Sequence, residues 1–263
     1  MNPLQDHAIH LYVYRMKRFP LTLVLLSLFH ILFAQKSGSD IFYLWDSSWN
    51  NVPKVENAHF FTRVRFVNDT CWQHHNYKIG GPMLTLEEYK DREAKIPHGR
   101  FSYMDSLGRL DSTGYVVEGK VQGTWYFFSD TASVIWMKKY SYGKLLSVWN
   151  ASDSGKREEG IFGVHSTIES DLPGPAGSWS KYVTRNIRYP PAAKAKGIQG
   201  TVLVSFTIDP DGRIQDEFLS KSVEFTLDDE AIRLLKQSPK WTPAVQNGKT
   251  VKSFKRQPVL FKL

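Results

Sequence analysis

Gly200-Thr201-Val202-Leu203-Val204-Ser205-Phe206-Thr207-Ile208-Asp209-Pro210-Asp211-Gly212 is the stretch on which the fold turns. Val202, Val204, Phe206 and Ile208 alternate with Thr201, Leu203, Ser205 and Thr207, which predicts a strand with one strongly apolar face. Asp209-Pro210-Asp211-Gly212 then predicts a tight turn, because proline presets its φ and glycine tolerates the left-handed conformation. Residues 213–220 follow as the return strand. Leu227, Ala231, Leu234 and Leu235 recur at helical spacing, with Asp228 placed to cap free N–H groups and Asp229 and Glu230 at the positive end of the helix dipole. Ser238-Pro239 ends that helix, and Asn247-Gly248-Lys249 turns the chain into a last strand over residues 251–263. Upstream, Trp179, Tyr182, Val183 and Asn186 fall on one helical face, so a short helix is expected over 177–186 before Tyr189-Pro190-Pro191 stops it. The expected order of strand, strand, helix, strand is a small α+β domain over 177–263.

Before it, residues 151–176 are rich in Ser, Gly, Asp and Glu and end in a Pro-Gly run, as a linker would. The segment 35–150 is β-rich and repeats itself at an offset of 24 residues. His98-Gly99-Arg100-Phe101-Ser102-Tyr103 falls on Gln122-Gly123-Thr124-Trp125-Tyr126-Phe127, and Glu118-Gly119-Lys120 falls on Tyr142-Gly143-Lys144. Alternating aromatics make one face of each strand apolar, and the Gly-Lys pairs sit where hairpin turns are needed. Such hairpins cannot bury a face alone and must stack on their neighbours. The pattern over residues 96–149 resembles MORN-like repeats, which implies an N-terminal ribbon of antiparallel β-hairpins.

The bulk composition fits two modest domains. The 263 residues are 41% apolar and 23% charged, and aromatics reach 14%, which favours β structure. The net charge of +8 is concentrated at the C-terminal end, where residues 181–263 hold 15 basic and 8 acidic groups. One cysteine, Cys71, excludes an intrachain disulfide and a cysteine-based metal site. At the N-terminus, Lys17-Arg18 precede the apolar run 21–33, which is shorter than the roughly 20 residues of a spanning helix. Residues 1–34 are therefore expected to be a signal peptide cleaved before Gln35, with an uncleaved inner-membrane anchor as the alternative.

The C-terminal pieces have a further regularity. Tyr189-Pro190, Gly197-Ile198-Gln199-Gly200, the hairpin 202–212, Leu227-Asp228 with Ala231-Ile232, Pro239-Lys240-Trp241-Thr242-Pro243-Ala244, Asn247-Gly248-Lys249 and Pro258-Val259-Leu260-Phe261 resemble, in order and spacing, the C-terminal domain of TonB-family energy transducers. The resemblance implies a periplasmic protein of a Gram-negative envelope that binds an N-terminal peptide segment of an outer-membrane TonB-dependent receptor by strand addition. It also implies inner-membrane, proton-driven motor proteins as partners, and offers a homodimer through the same edge strand as another use. The partner-binding residues expected on this basis are Lys252, Phe254, Lys255, Arg256, Gln257, Val259 and Phe261 on the last strand, with Arg188, Tyr189 and Pro190. Pro258 suits an edge strand, since it has no N–H to give to a ladder. Three features depart from the family pattern. Ser27 and His30 lie in a run that looks cleavable, no long Pro-rich linker is present, and Arg185-Asn186-Ile187-Arg188 stands where glutamine is usual. The alternative reading is an envelope scaffold that binds through the hairpin ribbon without a motor.

No catalytic set emerges, and no cofactor or metal site is expected. His74-His75 point to opposite faces of a strand, there is no His-Glu-x-x-His, and no Walker-type loop. Cys71 beside Trp72 reads as a buried small residue rather than a nucleophile. Nucleic acid is not an expected partner, because the basic C-terminal segment lacks the aromatic interleaving of stacking platforms.

Overall fold

In the computed structural model, residues 40–131, 133–152, 172 and 178–263 are described. The expected signal segment and most of the expected linker lie outside them. Among the described residues no helix is long and apolar enough to cross a membrane.

The first part is a nine-stranded antiparallel meander: β1 (Ile41–Trp45), β2 (Phe60–Asn68), β3 (Cys71–Lys78), β4 (Met83–Tyr89), β5 (Pro97–Met104), β6 (Leu110–Val117), β7 (Lys120–Phe128), β8 (Val134–Ser141) and β9 (Lys144–Asn150), each beside its neighbours in sequence. The antiparallel hairpin ribbon expected from the aromatic alternation is present. The two Gly-Lys turns are two-residue hairpins. Glu118 and Gly119 have φ of 50° and 74°, and Tyr142 and Gly143 have 46° and 87°. That pair of left-handed residues gives the twist antiparallel strands need. The 24-residue repeat reappears as a repeated hydrogen bond. Gly119 N donates to Pro97 O at 2.9 Å, and Gly143 N donates to Val121 O at 2.9 Å. The aligned Phe101 and Trp125 share one small core with Tyr89, Tyr103 and Val116.

The second part holds α1 (Trp179–Asn186), α2 (Pro191–Ala195), β10 (Gly200–Ile208), β11 (Ile214–Lys221), α3 (Phe225–Lys236), the short pair β12 (Ala244–Gln246) and β13 (Lys249–Val251), and β14 (Ser253–Phe261). The expected strand-strand-helix-strand order is there, joined by elements not foreseen. Tyr189-Pro190-Pro191 ends α1 and also starts α2, with Pro191 at the first helical position, where a missing N–H costs nothing. The sheet order is β11-β10-β14. Val202, Val204, Phe206 and Ile208 are all 0% exposed, beneath α3, while α1 packs on β14. Fully burying each such side chain stabilises by about 1.5–3 kcal/mol.

Helix α3 starts earlier than its apolar spacing indicates. Glu224 is the N-cap and accepts from Thr226 N at 2.9 Å. Asp228 therefore lies inside the helix and does not cap its first turn. It turns back to accept from Ser222 Oγ (2.5 Å) and Val223 N (3.1 Å).

The two parts share one apolar core, which contains Tyr77, Met83, Leu86, Met104 and Leu110 of the ribbon with Phe218, Leu219, Leu227 and Leu235 of the second part. Polar contacts fix the joint. Arg63, 7% exposed in its side chain, reaches Asp40 at 2.5 Å and Asp229 at 2.6 Å, and its guanidinium lies 4.9 Å over the Phe225 ring. Tyr77 OH donates to Asp228 at 3.1 Å, Met83 N donates to Ser222 Oγ at 2.7 Å, and Ser222 N donates to Gly108 O at 2.8 Å. Arg109 and Lys221 form an isolated bridge. The ribbon thus abuts the β11 end of the three-stranded sheet, and β14 lies at the other end.

Candidate partner-binding surface

The motif pieces of the second part, scattered in sequence, meet around β14. Trp179 of α1 donates its indole N–H to Pro258 O at 2.7 Å and leans on Trp241 with ring centroids 6.0 Å apart. Trp241, 2% exposed, meets Phe206 edge to face at 5.1 Å, and its backbone N–H donates to Gly212 O at 3.0 Å. This makes Trp241 a core residue. At the far end of the strand, Tyr189 OH donates to Ile198 O at 2.5 Å, its ring meets Phe261 edge to face at 5.8 Å, and Leu263 N donates to Gln199 Oε1 at 3.0 Å.

Strand β14 runs antiparallel to β10 over its full length, from Ser253 opposite Ile208 to Phe261 opposite Gly200. Residues alternate in the side to which their backbone groups point. Pro258 has no N–H and its carbonyl goes to Trp179, so ladder bonds to β10 here fall on Gln257 and Val259, while Leu260 points its backbone outward. Among the described residues β14 ends its sheet.

The residues expected to bind a partner occupy three settings. Val259 and Phe261 are buried at 0% and 1% exposure, so neither offers a side chain to a partner, and the Val259 backbone is paired with β10. Phe254 is half-buried against Phe218 at 6.5 Å, and Gln257, Lys255 and Arg256 are half-buried along the strand. Burial holds the Arg256 guanidinium below its usual pKa. Lys252 precedes the strand and pairs with Asp216 at 3.0 Å, so its charge is partly balanced within the domain. Arg188 is exposed, and its backbone N–H donates to Glu230 at 2.7 Å. Glu230 is gripped in turn by Arg233 at 2.6 Å. Arg188, Tyr189 and Pro190 line an open cleft of about 610 Å³ with Phe225, Asp229 and Arg65. The structure thus brings Tyr189 to Phe261 and places the basic residues toward the opposite end of β14.

Sequence reasoning missed Trp179 as a partner of Pro258 and missed the joint residues Arg63, Tyr77, Gly108 and Ser222. The helical spacing of Trp179 with Tyr182 and Val183 signalled a buried face but not its target. Among the described residues no group of His, Cys, Asp and Glu is arranged to hold a metal.

Comparison with known proteins bears on this surface. The family model of the Gram-negative bacterial TonB protein C-terminal matches residues 185–263. Protein TonB of Pseudomonas aeruginosa is 34% identical over 94 residues, covering 34% of this chain and 28% of that protein. The chain therefore spans less than a third of the relative's length. The solution structure of the Helicobacter pylori TonB C-terminal domain shares 28% identity, covers 32% of this chain and 78% of that one, and superposes with a TM-score of 0.24. On the family match and the sequence identity, the segment 185–263 of this chain is a C-terminal domain of the TonB family.

Proposed function

We propose that this protein is a TonB-like transducer of a Gram-negative cell envelope, a binding protein rather than an enzyme. Its C-terminal domain would take the N-terminal peptide segment of an outer-membrane TonB-dependent receptor as an added strand along β14. An inner-membrane, proton-driven motor would supply the energy passed on. The observation that carries this reading is the TonB match over 185–263, which ends on the strand lying away from the ribbon. An added strand gains register from backbone bonds and selectivity from neighbouring side chains. Exposed Leu260 offers the partner an outward N–H and an apolar side chain, and the basic residues at the start of β14 would speed encounter with an acidic segment. The expected localisation is the periplasm, with an inner-membrane anchor if residues 1–34 are retained.

The test is titration of a synthetic peptide copied from a receptor N-terminal segment into isotopically labelled protein. Amide shifts are expected at residues 259–261, and Leu260→Pro is expected to weaken binding about tenfold while leaving the β10 ladder in place. Shifts confined to residues 96–149 with β14 unmoved would overturn the reading and support an envelope adaptor acting through the ribbon. That second reading has its own support in the core shared between ribbon and C-terminal domain.

A further inference from the structure

The two ends of the nine-stranded ribbon are finished differently. At the β1 end the chain folds back on its own edge. Trp45 and Asn51 form a bridge, Val52 N donates to Leu44 O at 3.0 Å, and Trp49 stacks on Phe60 at 4.7 Å. Edge strands of soluble proteins are commonly covered in some such way, because bare backbone groups template unwanted pairing. At the β9 end no strand pairs with the outer edge among the described residues.

Strand β9 is also apolar. Its residues Lys144, Leu145, Leu146, Ser147 and Val148 are all exposed in succession. Leu145, Leu146 and Val148 are 47%, 54% and 47% exposed, and Tyr142 in the preceding turn is 65% exposed. The register breaks between Lys139 and Tyr140, leaving Leu146 as the extra residue of a bulge. The surrounding charge is of one sign. Residues 134–150 contain Lys138, Lys139 and Lys144 and no acidic residue. Lys138 is held 5.5 Å over the Phe127 ring.

We infer that β9 is a second strand-addition edge, built for an extended peptide that alternates acidic with apolar residues. The geometry tells against two other occupants. A second copy pairing through the same edge would add its own Lys138, Lys139 and Lys144 to this one-signed surface with no acidic residue from 134–150 to offset them, and like charges across a sheet repel. A bilayer entered edge-on would leave the outward N–H and C=O groups of β9 without partners in hydrocarbon. A bilayer met flat would cover the face shared by Leu145 and Val148 but would leave the outward N–H and C=O groups of β9 without a ladder partner. An acidic-apolar strand answers all three features at once: it completes the ladder, covers Leu145 and Val148, and neutralises the lysines.

The outward positions can be counted. Ala151 N donates to Ile135 O at 3.0 Å, and Trp149 and Ser147 pair with Met137 and Lys139. Trp149 and Ser147 therefore face β8 with their backbone groups, and Val148 faces outward. Val148→Pro removes an outward N–H without touching the bonds to β8. Lys144→Glu, at an exposed residue, changes the charge alone.

The experiment is fluorescence anisotropy of the full chain with a fluorescein-labelled eight-residue peptide alternating Glu and Val, against the same peptide with Lys in place of Glu. The acidic peptide is expected to bind at least about tenfold more tightly and to lose affinity as salt rises. Val148→Pro is expected to weaken it about tenfold with an unchanged thermal unfolding curve, and Lys144→Glu to shrink the difference between the two peptides. Equal binding of the two peptides, or full binding retained by Val148→Pro, would overturn the inference. So would sedimentation of the protein with phosphatidylglycerol vesicles in the absence of acidic-peptide binding, or a concentration-dependent dimer abolished by Val148→Pro.

Discussion

Replacing Gly108 by alanine probes the joint between ribbon and C-terminal domain. Gly108 sits in the turn between β5 and β6 with φ of 73°, a left-handed conformation that costs alanine about 1 kcal/mol. A Cβ there would lie 2.4 Å from Ser222 O and 2.6 Å from Pro82 Cβ, distances that real atoms do not share. The turn must back away. That breaks the 2.8 Å bond from Ser222 N to Gly108 O and strains the 2.7 Å bond from Met83 N to Ser222 Oγ. Each bond is worth about 1 kcal/mol net, so the whole cost is about 3 kcal/mol. Gly119 supplies the control. Its φ is 74°, but a Cβ added there would meet nothing within 4 Å, so Gly119→Ala carries only the backbone cost of about 1 kcal/mol. Urea unfolding of the full chain, followed by tryptophan fluorescence, should separate the two variants by about 2 kcal/mol. Equal losses would refute the argument that the turn is pressed against Ser222.

Other outcomes follow from the same structure. Burial raises the Asp228 carboxyl from 3.8 to about 7, despite donors from Ser222, Val223 and Tyr77. Between those values the folded state keeps a proton that the unfolded chain releases, so this contribution is complete below about pH 4 and lost as pH rises through 7. Burial, aided by Arg63, lowers His75 from 6.5 to about 3, and its contribution runs the other way, being lost as pH falls from 6.5. Asp228→Asn should therefore lose stability on acidification more steeply than the parent chain, and parallel urea midpoints across that range would argue against a buried proton at Asp228. Trp179→Phe removes the bond to Pro258 O and should cost about 1 kcal/mol, with faster amide exchange in α1; unchanged exchange would mean that the indole does not hold α1 to β14. Burial raises the Cys71 thiol to about 11, so its alkylation near neutral pH should be at least about tenfold slower in the folded protein than in urea, and equal rates would contradict this.

Much of the second part was legible because its signals are local. The alternation from Val202 to Ile208 places four residues on one face whatever lies opposite, and Asp209-Pro210-Asp211-Gly212 closes the hairpin: Gly212 N donates to Asp209 O at 2.9 Å. The ribbon was legible for the same reason, since its 24-residue repeat encodes hairpins between neighbours in sequence. Less legible was the start of α3. Asp228 looks like a cap, but Glu224 has the closer backbone amides, and Asp228 is drawn away by Ser222 and Tyr77. Of the expected binding residues, period-two alternation could have flagged Val259 and Phe261 as inward-facing, since they share parity with the buried face. The pairing of Lys252 with Asp216 spans 36 residues and had no signal.

The sequence by itself determined the main strands and helices of the second part, their apolar faces, the hairpin turns of the 24-residue repeat and the TonB-like order of motifs in residues 185–263. These are set by backbone sterics and by side-chain periodicity, which act over a few residues. Only the tertiary structure decided which sheet end abuts the ribbon, and that Arg63, Tyr77 and Met83 reach partners 166, 151 and 139 residues away. Packing chooses such contacts by shape, burial and hydrogen-bond satisfaction, and a string of residues carries no period that reports them.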